Sequence, residues 1–194
     1  MVVRPLGVVE PLPLTVVRSG QAPARQGEPC ADLWVVESGA FRATMVDTDG
    51  RSFLVDLVGP GEAVGQPDGL ASPWTAIALR PARLRSVRGS EAAGVLAARA
   101  ERAVAVAADL AWFDVTDRIE RRMLDLALRF GRPVSGGHAI GVQLTQDDIG
   151  AMVGASRESA NRAIRRLVAR GALDVRSRGR YVVRHQLRLV PDVS

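Results

Sequence analysis

Arg157, Glu158 and Arg162 are the residues whose types and spacing most directly suggest chemistry. A guanidinium can bind guanine O6 and N7 through two parallel hydrogen bonds, and a carboxylate can accept from cytosine N4. Ser156 stands just before them, where its hydroxyl can cap a helix and help the helix N-terminus hold a phosphate. The alternative for Glu158 and Arg162, four residues apart, is a helix-surface ion pair of about 0.2–0.5 kcal/mol. Arg165, Arg166 and Arg170 follow and could form a solvated face.

These side chains need two helices and a turn to present them. Thr145-Gln146-Asp147-Asp148 has the form of a capping box, with the threonine capping and Asp148 reaching back. Ile149 and Val153 point inward, Gly150 sits where the next helix must approach closely, and Gly154 supplies the turn. A helix from Ser156 to about Arg170 then buries Ala160, Ala163, Ile164, Leu167 and Val168, leaving Arg157, Glu158, Asn161, Arg162 and Arg165 outward. That is helix-turn-helix patterning. Beyond Gly171, the run from Leu173 to Val183 has the form of a hairpin whose basic tip, Arg176 to Arg180, can touch phosphates.

Charge is distributed to match. The chain has 194 residues and a formal charge of +5, and every basic residue is arginine. Residues 145–194 hold 10 arginines and 5 acids, whereas residues 1–144 hold 16 of each sign. All the net charge therefore sits in the last fifty residues, which suggests a polyanion partner there. The Glu158 carboxylate argues against non-specific compaction of DNA, because an acid facing phosphates is costly unless it reads a base.

Upstream, residues 1–89 read as β-structure. Leu33 and Val35, then Phe41, Ala43 and Met45, then Phe53, Val55 and Leu57 alternate around the Asp49-Gly50 turn signal, as in a small barrel or roll. From Glu91 to Phe113 alanine dominates with no proline, which predicts a long helix with Ser90 as N-cap. Val95, Arg99, Arg102, Val106, Leu110 and Phe113 recur at three-to-four spacing along it, and this stripe is expected to meet a second copy in a dimer. The alternative is a single helix buried within one monomer. A second helix from about Thr116 buries Ile119, Met123, Leu126, Ala127 and Phe130, with Gly131 and Pro133 as its stop. Ser135-Gly136-Gly137 reads as loop and Ile140, Val142 and Leu144 as a short strand. Arg118, Arg121 and Arg122 form a cluster whose default is a solvated face, with DNA backbone or polymerase as alternatives.

Other chemistry finds little support. No Ser/His/Asp or metal-ligand constellation is present, so no enzyme is expected. Cys30 is the only cysteine, which excludes an intrachain disulfide and a four-thiolate cluster; it reads as a small buried hydrophobe, with a redox switch as the alternative. His138 and His185 both lie in the second half, where His138 reads as a surface residue. Gly59-Pro60-Gly61 through Gly65 lacks phosphate-loop spacing and reads as strand turns. The N-terminus makes a poor signal peptide, and no apolar run approaches the roughly 18 residues of a membrane span. A cytoplasmic protein without a membrane partner is expected.

The segment Leu110-Ala111-Trp112-Phe113-Asp114-Val115-Thr116-Asp117-Arg118-Ile119 resembles the hinge of the Crp/Fnr family. Ile149-Gly150-Ala151-Met152-Val153-Gly154-Ala155-Ser156-Arg157-Glu158 resembles that family's helix-turn-helix signature, and Gln26-Gly27-Glu28 with Leu33 to Gly39 is similar to its cyclic-nucleotide-binding roll. The resemblance implies an α+β chain with three parts. Residues 1–89 form a cyclic-nucleotide-binding-like β-roll, 90–114 the dimerisation helix and hinge, and 115–194 a C-terminal winged helix-turn-helix. It implies a homodimeric transcription regulator with double-stranded DNA and RNA polymerase as partners, reading a palindromic TGTGA-like operator through Arg157, Glu158 and Arg162. Ser156, Ser159, Asn161, Arg178 and Arg180 would hold phosphates or flanking positions, with Ser159 and Asn161 departing from the usual threonine and glycine.

The roll departs further. Family members that bind cyclic AMP use a Gly-Glu pair for the ribose and an Arg-Ser or Arg-Thr pair for the phosphate. Here Gln66 follows Gly65, the loop from Pro67 to Thr75 contains no arginine, and Ala103 and Val104 stand where hydroxyl residues would meet the adenine. A phosphate without its guanidinium loses a charge-assisted bidentate contact. Cyclic AMP is therefore not expected as the ligand, no cofactor is assigned, and any effector is of another kind. Trp34, Trp74 and Trp112 near the roll and hinge could report such a ligand by fluorescence.

Overall fold

The computed structural model describes residues 14–176 and 179–184. Five strands build the first half: β1 (Leu14–Val17), β2 (Leu33–Val46), β3 (Ser52–Val58), β4 (Ala63–Gly65) and β5 (Thr75–Ser86). They run antiparallel in the order β1-β5-β2-β3, with β4 on the first part of β2. β2 is long enough to pair β4 through Leu33–Val35 and β3 through Phe41–Val46, so one strand curves the sheet into a roll. Register shifts along β2 mark the bends. Phe41, Val36 and Leu84 fill the interior with Trp34 and Cys30, and the thiol is buried as expected of a small hydrophobe.

The β3 pattern differs from simple alternation. Val55 and Val58 pack into the roll interior, but Leu54 and Leu57 join a separate cluster formed mainly by the second half of the chain. Both faces of β3 are covered. Met45, at the far end of β2, is 40% exposed instead of inward because the β2–β3 hairpin projects beyond the core.

Helix α1 (Gly89–Trp112) starts two residues earlier than expected. Arg88 is the N-cap in extended conformation without a side-chain cap, and Ser90 lies inside the helix. Ala92, Val95 and Leu96 pack on Leu33, Val35, Ala63 and Val87 of the roll. Helix α2 (Val115–Phe130) is capped by Asp114, whose carboxylate accepts from the backbone N–H groups of Thr116 at 2.7 Å and Asp117 at 3.0 Å. It buries Ile119, Met123, Leu126 and Ala127 as the periodicity predicts, each large side chain contributing roughly 1.5–3 kcal/mol.

After α2 the chain departs from the expected loop. Gly131–Val134 is a strand, β6, hairpin-paired through Ser135-Gly136 to β7 (Gly137–Ile140). Gly131 and Pro133 therefore begin an edge strand, where the missing proline N–H costs no ladder bond. Val142 and Leu144 are buried but not in a strand. Two short helices, α3 (Gln146–Met152) and α4 (Arg157–Ala169), precede β8 (Leu173–Arg176) and β9 (Arg180–Arg184), giving a second sheet in the order β6-β7-β9-β8. No helix among the described residues is long and apolar enough to cross a membrane.

Candidate nucleic-acid interface

Helix α3 opens as the sequence predicts. Thr145 Oγ1 accepts from the Asp148 N–H at 3.1 Å, and Asp148 Oδ2 accepts from the Thr145 N–H at 2.8 Å. The turn to α4 depends on two glycines. Gly154 has φ +63°, and a Cβ on Gly150 would lie 2.7 Å from the Ala155 carbonyl oxygen. Ser156 then caps α4, its Oγ accepting from the Ser159 N–H at 3.2 Å. Ala160, Ala163, Ile164 and Leu167 are buried against α2 and α3. Val168, expected in that stripe, is 41% exposed, because it falls near the helix end on the edge of the apolar face.

The outer face of α4 carries the three proposed base readers together. Arg157 and Arg162 expose 69% and 62% of their side chains, and Glu158 exposes 86%. The Glu158–Arg162 ion pair considered as the alternative does form, at 3.9 Å, and Arg157 reaches Asp147 at 3.8 Å. Exposed contacts of this length hold about 0–1 kcal/mol and can be exchanged for base edges. Arg162 also donates to Ser159 Oγ at 3.0 Å, and the Gln146 amide donates to Asn161 Oδ1 at 3.3 Å. Gln146 was missed in the sequence; its place directly after a helix cap, beside the facing helix, was the available signal. In the wing, Arg180 is exposed on β9 opposite Arg176. Arg178 and His185 lie outside the described residues.

The arginine cluster on α2 is not a solvated face. Arg118 Nη1 donates to the Val153 carbonyl at 2.8 Å, tying α2 to the turn before α4. Arg121 bonds Asp109 at 2.7 Å and lies over the Phe113 ring, and Arg122 faces Asp125. Arg118 and Arg121 join α2 to other elements, and Arg122 pairs within α2.

The α1 stripe expected to face a second copy turns toward the chain's own body. Val95 packs on the roll, Arg99 donates to Gly65 O at 2.9 Å and Gln66 Oε1 at 2.8 Å, and Arg102 faces Asp56 and Glu62. Val106 and Phe113 are half-buried on the same side, whereas Leu110 stays 40% exposed. The opposite side presents Ala93, Ala97, Ala100, Val104 and Ala111 to solvent.

Residues 117–189 match the Crp-like helix-turn-helix domain and residues 14–99 match the cyclic nucleotide-binding domain. The chain is 31% identical over 163 residues to the CRP-like cAMP-activated global transcriptional regulator of Mycobacterium tuberculosis, covering 75% of this chain and 73% of that one. The chain belongs to the Crp/Fnr family. The CRP-like protein Clp of Xanthomonas euvesicatoria pv. vesicatoria is also 31% identical, over 179 residues, with 79% and 76% covered. A solved CRP/FNR-family transcriptional regulator from Thermus thermophilus superposes with a TM-score of 0.76 at 21% identity, covering 88% of this chain and 93% of that one. As a Crp/Fnr member the chain is a transcriptional regulator with a DNA-binding helix-turn-helix.

The family's roll implies a cyclic nucleotide, and the residues here can be tested against it. Where an acidic side chain would meet the ribose stands neutral Gln66, already bonded to Arg99. Among the described residues no carboxylate pairs with Arg99. Its guanidinium lies 5.0 Å from the centre of the Trp74 ring, and burial, then the neighbouring charge of Arg102, lowers its pKa. Val104, at a position where the family places an adenine-facing hydroxyl, is 69% exposed. These groups do not fit a cyclic nucleotide monophosphate.

Proposed function

We propose that this chain is a homodimeric regulator that reads a palindromic TGTGA-like operator without cyclic AMP. The observation that carries it is the common exposed face of Arg157, Glu158 and Arg162 on a helix whose N-terminus is capped by Ser156. Ser156, at that N-terminus, takes a backbone phosphate, and Ser159, Asn161, Arg178 and Arg180 take flanking or phosphate positions. Gln146 joins them through Asn161.

The dimer forms along α1, but through its opposite side. Ala93, Ala97, Ala100, Val104 and Ala111 make an exposed small-residue seam that lets two helices approach closely. Two-fold symmetry then sets half-site centres about 34 Å apart. RNA polymerase is the expected protein partner, in the cytoplasm.

Selection from a random duplex library tests the base assignment. Wild-type protein should enrich a palindrome with TGTGA-like arms, and Glu158→Ala should relax one symmetric pair of positions. Enrichment of unrelated sequence would overturn the half-site.

A second reading is supported by Arg99, a half-buried cation without a carboxylate partner among the described residues, stacked on Trp74. It suits an anionic effector other than a cyclic nucleotide. Calorimetry and tryptophan fluorescence against fatty acyl compounds check this; absence of heat and of any spectral change would contradict it.

A further inference from the structure

We propose that Arg129 and Arg42 are positioning residues that clamp the helix-turn-helix to the roll, so that the roll and α1 set the spacing of the two recognition helices. The inference rests on the palindrome-reading dimer proposed above.

Arg129 lies in the last turns of α2. Its guanidinium reaches Asp56 at 3.0 Å, Glu62 at 2.7 Å and Asp125 at 2.8 Å, and also bonds the Leu57 carbonyl. The Arg129, Asp56 and Glu62 side chains are only 16%, 18% and 12% exposed. Arg102 of α1 faces the same two carboxylates, at 3.4 Å from Asp56 and 3.8 Å from Glu62. Two roll acids thus bridge arginines on either side of the hinge at Phe113 and Asp114. Rotation of α2 about that hinge has to break this arrangement.

A second clamp acts on the reading unit itself. Arg42 of β2 is ion-paired to Asp148, the buried acid that completes the α3 capping box. One carboxylate therefore both starts α3 and is held by the roll. α3 in turn carries the turn whose backbone fixes α4.

Apolar contacts run through the same junction. Ala40, Leu54 and Leu57 of the roll share one cluster with Ile119, Leu126, Ile149 and Leu167. Gly59 has no room for a Cβ because the Phe130 ring lies against it. The Nε atoms of Arg42, Arg102 and Arg129 are buried without a hydrogen bond among the described residues. These cations depend on their carboxylates, because a buried charge left alone is strongly unfavourable.

The test compares a palindromic duplex with one carrying a single half-site, for wild type, Asp56→Asn/Glu62→Gln and Gly59→Ala. The first variant removes the charges at constant shape; the second retains every charge but wedges the junction, where Gly59 N–H bonds Glu62 and the Phe130 ring lies under Arg129. Wild-type preference for the palindrome establishes the underlying reading separately. Both variants should then keep half-site affinity within about twofold and lose about tenfold or more on the palindrome, because linkage geometry sets the effective concentration of the second contact. Their thermal unfolding should split into two transitions where wild type shows one. Wild-type affinity for the palindrome, or equal losses on both duplexes, overturns the positioning role. Should wild type show no palindrome preference, the dimer reading fails, and the clamp is still judged by whether its unfolding transition splits.

Discussion

Arg99 of α1 donates a 2.8 Å hydrogen bond to Gln66 Oε1, joining the helix to the roll through a pair in which only one partner is charged. An acid at position 66 would neutralise the arginine; the amide does not. The roll is therefore cationic at the position where the family would place an acid for the ribose.

Cyclic AMP should leave the protein unchanged. A ligand at 100 times its Kd stabilises a native state by about 2.7 kcal/mol, which is readily seen as a rise in Tm. Addition of millimolar cyclic AMP is expected to give no Tm shift and no heat in calorimetry. A clear rise would show that Arg99 and Gln66 rearrange to accept the nucleotide.

The Asp114 cap sets a pH dependence for the hinge. Hydrogen bonds from the Asp117 N–H, then the Thr116 N–H, with nearby arginines, hold its carboxyl below the ordinary aspartate range. A depressed folded-state pKa adds stability above the unfolded value, about 3.9, and that stability is lost as pH falls through the folded value. Asp114→Ala should cost about 1 kcal/mol at pH 7, read from urea midpoints. The gap from wild type should shrink toward pH 3; a gap independent of pH would contradict the cap's charge.

Val104→Glu should make the protein monomeric. The side chain sits in the middle of the exposed alanine seam of α1, where a second copy would bury a carboxylate without a partner. Sedimentation velocity should show the wild type as a dimer and the variant at half that mass. A dimeric variant would move the interface elsewhere on the chain.

Arg157→Ala should cost about 1–3 kcal/mol on the specific duplex and relax the preference at one base pair of each half-site. Competition binding with single-base operator variants measures both effects. An equal loss on all sequences would reassign Arg157 from base reading to phosphate contact.

The helix-turn-helix was legible in the sequence because its determinants are local. Thr145 and Asp148 are three residues apart, Gly150 and Gly154 stand at a fixed offset, and Ser156 immediately precedes the helix it caps. The orientation of α1 was not legible. Its arginine stripe and its alanine seam have the same three-to-four spacing, and the choice between them is made by Asp56, Glu62 and Gln66, far away in sequence. The β6–β7 hairpin was obscured because Gly131 and Pro133 signal a helix stop equally well. The coverage of Leu54 and Leu57 by the second half depends on a junction that no periodicity within β3 could reveal.

The most direct test of sequence-specific operator reading is fluorescence anisotropy of purified, ligand-free protein on a palindromic TGTGA-type duplex and on a scrambled duplex at about 150 mM salt. Specific sites typically bind roughly 10³-fold or more tightly than non-specific ones. A strong preference for the palindrome without any added effector is the predicted result. Equal, weak binding to both duplexes would contradict it.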